Sequence, residues 1–386
     1  MSKIIFVTKD LSIGGIEISL INLIKALHNE NDITLLLYGQ DMTLAKELPT
    51  DIKIIQCQLN LLYSMEVMKN RMSKLNINKK TLITFIVKLV YLLQKRNKFI
   101  FYKYECSNIF IKGNYDFAVA YGGGLRPETY IVLSKIKSHY KYMWVHEDYL
   151  QQKQYKVMYN KYFNKFDKII CASKKIQKSF IKIYPKLSNK VVQKNNLIDI
   201  NDIIKKSLLP TEKKYIKDDR FLICTVGRIS DEKGQLIIID VVKYLIDIRD
   251  EFYWFVIGDG PLFETLSCLI KKNNLTDTIK LVGAIKNPYP YIKNCDLYVQ
   301  SSKEEGYCLS AAEAQILHKP MILTNFATAS YFVKDSMNGY ICNYDAKEMS
   351  KQIRKILKDK EEFTKLNKAA KGITGFSVDC SVKDLF

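Results

Sequence analysis

Two successive series of short β-branched and apolar runs, separated by stretches of helical pattern, predict an α/β protein of two Rossmann-like doubly wound domains. The length agrees, because 386 residues exceed what one hydrophobic core ordinarily organises. So does the composition: an apolar fraction of 47% suits a folded globular chain and argues against global disorder. Ligands of such sheets bind outside the carboxyl ends of the strands, so the residues that follow each predicted strand carry the functional reading.

The first series places strands at 4–7, 33–38, 117–120, 142–145 and 168–172. The run at 4–7 is too short for the apolar region of a secretory signal and is followed by Thr8, Lys9 and Asp10, so it reads as a buried first strand. A charged, turn-like stretch at 209–220 then precedes a second series at 221–226, 254–257, 279–282, 297–300 and 321–323. The boundary therefore falls near 201–217, which predicts one domain over 1–205, a second over 206–365 and a C-terminal segment over 366–386. The longest apolar-rich stretch, 82–93, is interrupted by Lys88 and falls short of the ~20 residues that cross a bilayer.

Nine cysteines stand singly from Cys57 to Cys380 with no C-x-x-C pair, and four histidines add no partner set. No zinc framework is visible, and the cysteines read as reduced, mostly buried thiols of a cytosolic protein. The net charge of +20 suits a nucleic acid, an anionic membrane or a phosphorylated ligand. Between 61 and 112 there are eleven Lys or Arg residues against Glu66 and Glu105, interleaved with apolar residues at helical spacing. Such a helix can lie on an anionic membrane, or it can be a core helix with a solvated basic back. No zinc finger, RNP-type strand or KH-type loop accompanies the charge, so nucleic acid is not expected as a partner.

Candidate chemistry gathers at the strand ends. After the first strand comes D-L-S-I-G-G-I-E, where Gly14 and Gly15 precede a helix expected to begin near Glu17. Paired glycines admit close backbone approach to a ligand, although a plain tight turn has the same composition. His146, followed by Glu147 and Asp148, ends the strand at 142–145 and reads either as a structural hydrogen-bonder or as a site residue. After 221–226 comes G-R-I-S-D-E-K-G, whose Arg228 and Lys233 could neutralise a diphosphate, Arg in bidentate fashion. G-D-G-P, beginning at Gly258, is turn punctuation or a base-lining loop. After 297–300 the chain carries Glu305, Gly306, Tyr307, Cys308 and Leu309, then Glu313. A strand, a glycine turn and a helix start would put two carboxylates and several free N–H groups around one volume, as a polyhydroxylated diphosphate ligand requires. Solvated surface charge is the other reading of that pair.

Taken in order, G-G-I-E, W-V-H-E-D, G-R-x-x-x-x-K-G, G-D-G-P, the pair Glu305 and Glu313, and H-K-P followed by N-G-Y resemble the family 4 glycosyltransferases of the GT-B fold. The resemblance covers nearly the whole chain. It implies two domains facing a cleft and a retaining transferase for a nucleotide-diphosphate sugar, with a glycan or polyprenyl-linked acceptor in cell-surface polysaccharide synthesis. It further implies that Arg228 and Lys233 hold the donor diphosphate, that Glu313 binds ribose hydroxyls and that Glu305 contacts the donor sugar. Amides near Gly306, Tyr307, Cys308 and Leu309 would cap sugar and phosphate, His146 would lie near the reacting sugar, and Gly14, Gly15 and Gly258 would line the donor. Fixed cations stabilise the leaving group without a metal, so neither metal nor cofactor is expected, in keeping with a chain lacking D-x-D.

Retention by double displacement needs a carboxylate nucleophile. No obvious one emerges, and the resemblance points to front-face attack instead. The expected location is cytoplasmic, peripheral on the inner membrane face, with the 366–386 segment crossing back to the first domain. The stretch T-N-F-A-T-A-S at 324–330, and Tyr307 with Cys308, depart from the family pattern and blur donor identity. A nucleotide-sugar epimerase of the same fold, or an inactive basic membrane-binding relative, would carry many of these features.

Overall fold

The computed structural model describes residues 1–59, 98–146, 148, 159–211, 219–373 and 384–386. Most of the expected basic amphipathic stretch, residues 60–97, lies outside the described residues, and its last part forms the helix Lys98–Glu105. No helix among the described residues is long and apolar enough to cross a membrane.

The expected class is observed, as two parallel sheets in two compact units. The first sheet contains β1 (Ser2–Thr8), β2 (Asn31–Leu37), β3 (Lys53–Gln56), β4 (Asn114–Gly122), β5 (Lys137–Val145), β6 (Lys168–Cys171) and β7 (Val191–Gln193). Their spatial order is β3-β2-β1-β4-β5-β6-β7, all parallel. The second contains β8 (Phe221–Val226), β9 (Phe252–Ile257), β10 (Ile279–Gly283), β11 (Leu297–Gln300), β12 (Met321–Thr324) and β13 (Gly339–Cys342), in the order β10-β9-β8-β11-β12-β13. In each sheet the winding reverses once, between β1 and β4 and between β8 and β11. Those reversals open the crevices where ligands of doubly wound sheets bind.

Continuous apolar runs make these strands because helices cover both faces. In β1, Ile5 and Val7 enter one core cluster while Ile4 and Phe6 enter another on the opposite face. In β8, Ile223 and Cys224 divide in the same way. Polar caps start several of the covering helices: Asp199, Asp345 and Asp359 each accept a hydrogen bond from the backbone three residues on. Strands β3, β7 and β13 were not expected from the sequence. All three are edge strands of three or four residues, too short to stand out as a run, and β3 is largely exposed as well.

The first unit holds Met1–Ser12, Ile16–Leu197 and the described C-terminal residues; the second holds Ile13–Gly15 and the described residues from Ile198 to 373. The chain thus enters the second unit before residue 206, the start expected from the sequence. The helix Ile200–Ser207 explains this, since Ile203 is buried in the second unit's core and Asn287 Nδ2 donates to the Lys206 carbonyl at 2.9 Å. Leu385 is buried in the first unit, and the Phe386 ring packs 5.4 to 5.9 Å from those of Phe6, Phe117 and Tyr142. All eight described cysteines are free, and six of them are buried.

Candidate functional site

The winding reversal of the second sheet brings the loops after β8 and β11 together. Backbone stitching fixes the first of these: Gly227 N–H donates to the Ile257 carbonyl, Gly258 N–H to Gly283 and Ile229 N–H to Asp259, each at 2.9 Å. Gly258 sits at a φ of +144°, and a Cβ there would lie 2.0 Å from the Gly227 oxygen, so only glycine permits the approach. Gly234, at a φ of +65°, is equally constrained, because a Cβ would come 2.4 Å from the Ser301 oxygen. That contact draws the turn carrying Lys233 against the end of β11.

Lys233 Nζ consequently meets Glu305 at 2.7 and 2.8 Å, using both carboxylate oxygens. Burial works against the Lys233 ammonium, but the Glu305 carboxylate outweighs it and raises the pKa above the ordinary lysine value. Arg228 is placed differently. Its carbonyl accepts from Gln235 Nε2 at 2.9 Å, while its exposed guanidinium makes no hydrogen bond or ion pair among the described residues. One cation is therefore anchored, and the other is available to solvent or ligand.

Past β11 the chain turns through Gly306 and Tyr307, and Cys308 adopts a φ of +74° immediately before the helix Leu309–Ile316. Tyr307 is held by Thr328 Oγ1, which donates to its carbonyl at 3.0 Å, and by an edge contact with the Phe332 ring at 5.5 Å. The N–H groups of Gly306, Tyr307, Cys308 and Leu309 make no backbone hydrogen bond among the described residues, as expected at a helix start. Glu313 lies on that helix and accepts from the Tyr289 hydroxyl at 3.3 Å. Burial pushes its pKa up to about 7, against the opposing effect of the Tyr289 bond.

Both glutamates are only 7% exposed, which overturns the surface-charge reading. They are engaged separately, however: Glu305 by Lys233 and Ser302, Glu313 by Tyr289. The sequence reasoning missed Ser302, Gln235 and Tyr289. Ser302 follows β11 but resembles any loop serine, and Tyr289 reaches Glu313 from the helix Tyr289–Asn294, which no local spacing connects to it.

In the first unit, His146 follows β5 directly, with its ring 4.8 Å from that of Tyr121. Both ring nitrogens are buried without a hydrogen-bond partner among the described residues, so the structural hydrogen-bonding role is not seen. Burial, aided by the Arg126 charge, lowers its pKa to about 3 and keeps the imidazole neutral. Glu147 lies outside the described residues, and Asp148 pairs with Lys175 at 3.3 Å. Gly14 and Gly15 form a turn after β1, with the helix beginning at Gly15 rather than Glu17, and this turn groups with the second unit. Among the described residues, no three His, Cys, Asp or Glu side chains cluster as a metal site would require.

Residues 210–372 match the family described as Glycosyl transferases group 1. An uncharacterized glycosyltransferase of Methanocaldococcus jannaschii is 33% identical over 171 residues, which is 44% of this chain and 42% of that protein. The O-antigen biosynthesis glycosyltransferase WclY of Escherichia coli is 23% identical over 223 residues, 54% of this chain and 61% of its own length. The chain thus spans about half the length of the curated relatives it matches. Among solved structures, that of Anabaena HepE in complex with UDP and glucose superposes with a TM-score of 0.69 at 16% identity, covering 100% of this chain and 98% of that one. Likeness at that level of identity establishes the fold, which is GT-B.

Proposed function

We propose that this chain, whose fold is GT-B and whose residues 210–372 match a glycosyltransferase family, moves a sugar from a nucleotide-diphosphate sugar to a glycan or polyprenyl-linked acceptor. The process is cell-surface polysaccharide synthesis. One observation carries the reading: at the winding reversal of the second sheet, Lys233, anchored by Glu305, stands in the same loop as an unengaged Arg228. Two of the three ammonium N–H donors of Lys233 serve Glu305, which leaves one for a phosphate oxygen. Arg228 adds a second, bidentate cation.

The reaction in this reading retains configuration and needs no metal. The bond from the sugar C1 to the phosphate oxygen breaks, and its electron pair goes to the diphosphate, where Lys233 and Arg228 oppose the growing charge. The acceptor hydroxyl oxygen bonds to C1 on the same face, and its proton passes to the departing phosphate oxygen. Glu313 accepts from the ribose hydroxyls, Glu305 faces the donor sugar, and the amides from Gly306 to Leu309 cap sugar and phosphate. Gly14, Gly15 and Gly258 line the donor.

A thermal-shift screen of UDP-, GDP- and ADP-sugars tests this directly. One nucleotide class should raise the melting temperature, since a ligand at 100-fold its Kd stabilises the native state by about 2.7 kcal/mol. Absence of any shift would overturn the donor site. Isomerised sugar appearing without an acceptor, in place of released nucleotide, would indicate an epimerase.

We also propose a peripheral location on the cytoplasmic membrane face. Besides the net charge of +20, Phe110 is 82% exposed with Lys135 Nζ 5.5 Å above its ring, and Lys103 and Lys112 are exposed nearby in the sequence. An apolar ring among lysines suits an anionic interface. Flotation with phosphatidylglycerol vesicles should recover the protein at low salt, and Phe110→Ser together with Lys112→Glu should weaken that recovery severalfold. Equal recovery on neutral and anionic vesicles would remove the electrostatic attachment.

A further inference from the structure

We infer that Gln300 and Ser302 are positioning residues for the Lys233–Glu305 pair, forming a buried one-way hydrogen-bond chain that holds the Glu305 carboxylate in the orientation sugar transfer uses. The inference rests on the donor-site reading above. Tyr298 and Gln300 lie two apart on β11 and so share a face of the sheet, and both are buried together with Ser302. The Tyr298 hydroxyl donates to Gln300 Oε1 at 2.7 Å, Gln300 Nε2 donates to Ser302 Oγ at 2.8 Å, and Ser302 Oγ donates to Glu305 Oε1 at 2.7 Å. Every donor points one step closer to Glu305.

That direction follows from the inventory of protons. A serine hydroxyl has one proton, and Ser302 can spend it on Glu305 only because the Gln300 amide acts as donor toward it. With the amide reversed, the Gln300 oxygen would claim that proton and Glu305 would lose a charge-assisted bond. Tyr298 opposes the reversal by giving its one proton to Gln300 Oε1 at 2.7 Å rather than to the more distant Val226 carbonyl at 3.4 Å, and Ser310 Oγ supports it there at 3.4 Å. The backbone beneath is held as well. Thr324 Oγ1 donates to the Ser302 carbonyl, with the Gln300 carbonyl 3.2 Å away, and Ser301 Oγ donates to the Lys233 carbonyl at 3.2 Å.

The chain bears on the reaction through Lys233. If the carboxylate could rotate freely, the ammonium would turn with it and its remaining N–H would sweep a range of directions. Ser302 ties down Oε1, so the pair keeps one orientation and the remaining N–H keeps one direction. Groups already aimed at developing charge need no rearrangement during the reaction. The pair itself survives without Ser302; its aim does not.

Steady-state kinetics of Ser302→Ala, Ser302→Thr and Gln300→Glu test the inference. Ser302→Ala should lower kcat about 10-fold with the donor KM changed by less than about twofold, and Ser302→Thr, which retains the hydroxyl, should restore most of the rate. Gln300→Glu keeps the shape but replaces the amide donor with an acceptor for the Ser302 proton, so it should slow kcat similarly and serves where Ser302→Ala does not fold. If the wild type transfers sugar and Ser302→Ala and Gln300→Glu both keep kcat within about twofold, the inference is overturned. It is also overturned if Ser302→Thr fails to rescue, or if the loss of rate merely follows the loss of melting temperature. A wild type that releases no nucleotide from any nucleotide sugar would instead remove the donor-site reading, and the inference with it.

Discussion

Replacing Lys233 with alanine lowers kcat for sugar transfer by about 100- to 1000-fold at saturating donor, the loss typical when one fixed group opposing transition-state charge is removed. The same substitution strands Glu305, a carboxylate that is nearly buried and loses its bidentate partner. An unpaired buried charge commonly costs about 3 to 5 kcal/mol. Lys233→Ala should therefore melt earlier as well as react more slowly. The two effects separate in the double variant Lys233→Ala, Glu305→Gln, because the amide removes the stranded charge. That variant should regain most of the melting temperature and none of the rate, as read by differential scanning calorimetry beside a nucleotide-release assay. Recovery of transfer in the double variant would show that Lys233 acts only by satisfying Glu305, and would take it out of the catalytic assignment.

The second large effect is a pH dependence centred on Glu313. Burial raises its folded-state pKa from an ordinary 4.5 to about 7, so between those values the native state binds more protons than the unfolded chain. Stability then falls as the pH rises across that window, and the displacement corresponds to roughly 3 kcal/mol. Below pH 4.5 the group costs nothing, because it is neutral in both states. Above about 7 the penalty stays constant. Glu313→Gln should abolish this part of the profile and match or exceed the wild-type melting temperature at pH 8.

Donor binding should run the opposite way. Ribose hydroxyls donate best to the ionised carboxylate, so nucleotide affinity in the wild type should improve as the pH rises through 7. In Glu313→Gln the affinity should be about 10-fold weaker at pH 8 and flat across that range. Parallel pH profiles for the two proteins, measured by isothermal titration calorimetry, would exclude Glu313 from the nucleotide site.

The central strands were legible because both of their faces are buried, so each presents an unbroken apolar run such as the one in β1. Edge strands were uneven: β10 was legible from its run at 279–282, whereas β3 has to satisfy solvent on its outer side and has an ordinary mixed sequence. Much the same division applies to the candidate site. Glycine turns, Arg228, Lys233 and the two glutamates follow strands and are conspicuous by residue type. Tyr289 and Ser302 act through side-chain hydrogen bonds to the glutamates and Gln300 through one to Ser302, and a tyrosine, glutamine or serine has no spacing that announces such a bond. His146 was conspicuous, but its chemistry was not: only the packing around the strand end shows that the ring is neutral and that both nitrogens lack partners among the described residues.

The left-handed backbone of Cys308 bears on how a ligand would be met. A residue with a Cβ held there costs roughly 1 to 2 kcal/mol relative to its right-handed form, whereas glycine would visit either hand freely. Bonds on either side, from Thr328 Oγ1 to the Tyr307 carbonyl and from Ala312 N–H to that of Cys308, hold the corner against that cost, and alternative loop shapes are removed before anything binds. An incoming molecule would meet a finished surface, and little of its binding free energy would go into freezing the turn.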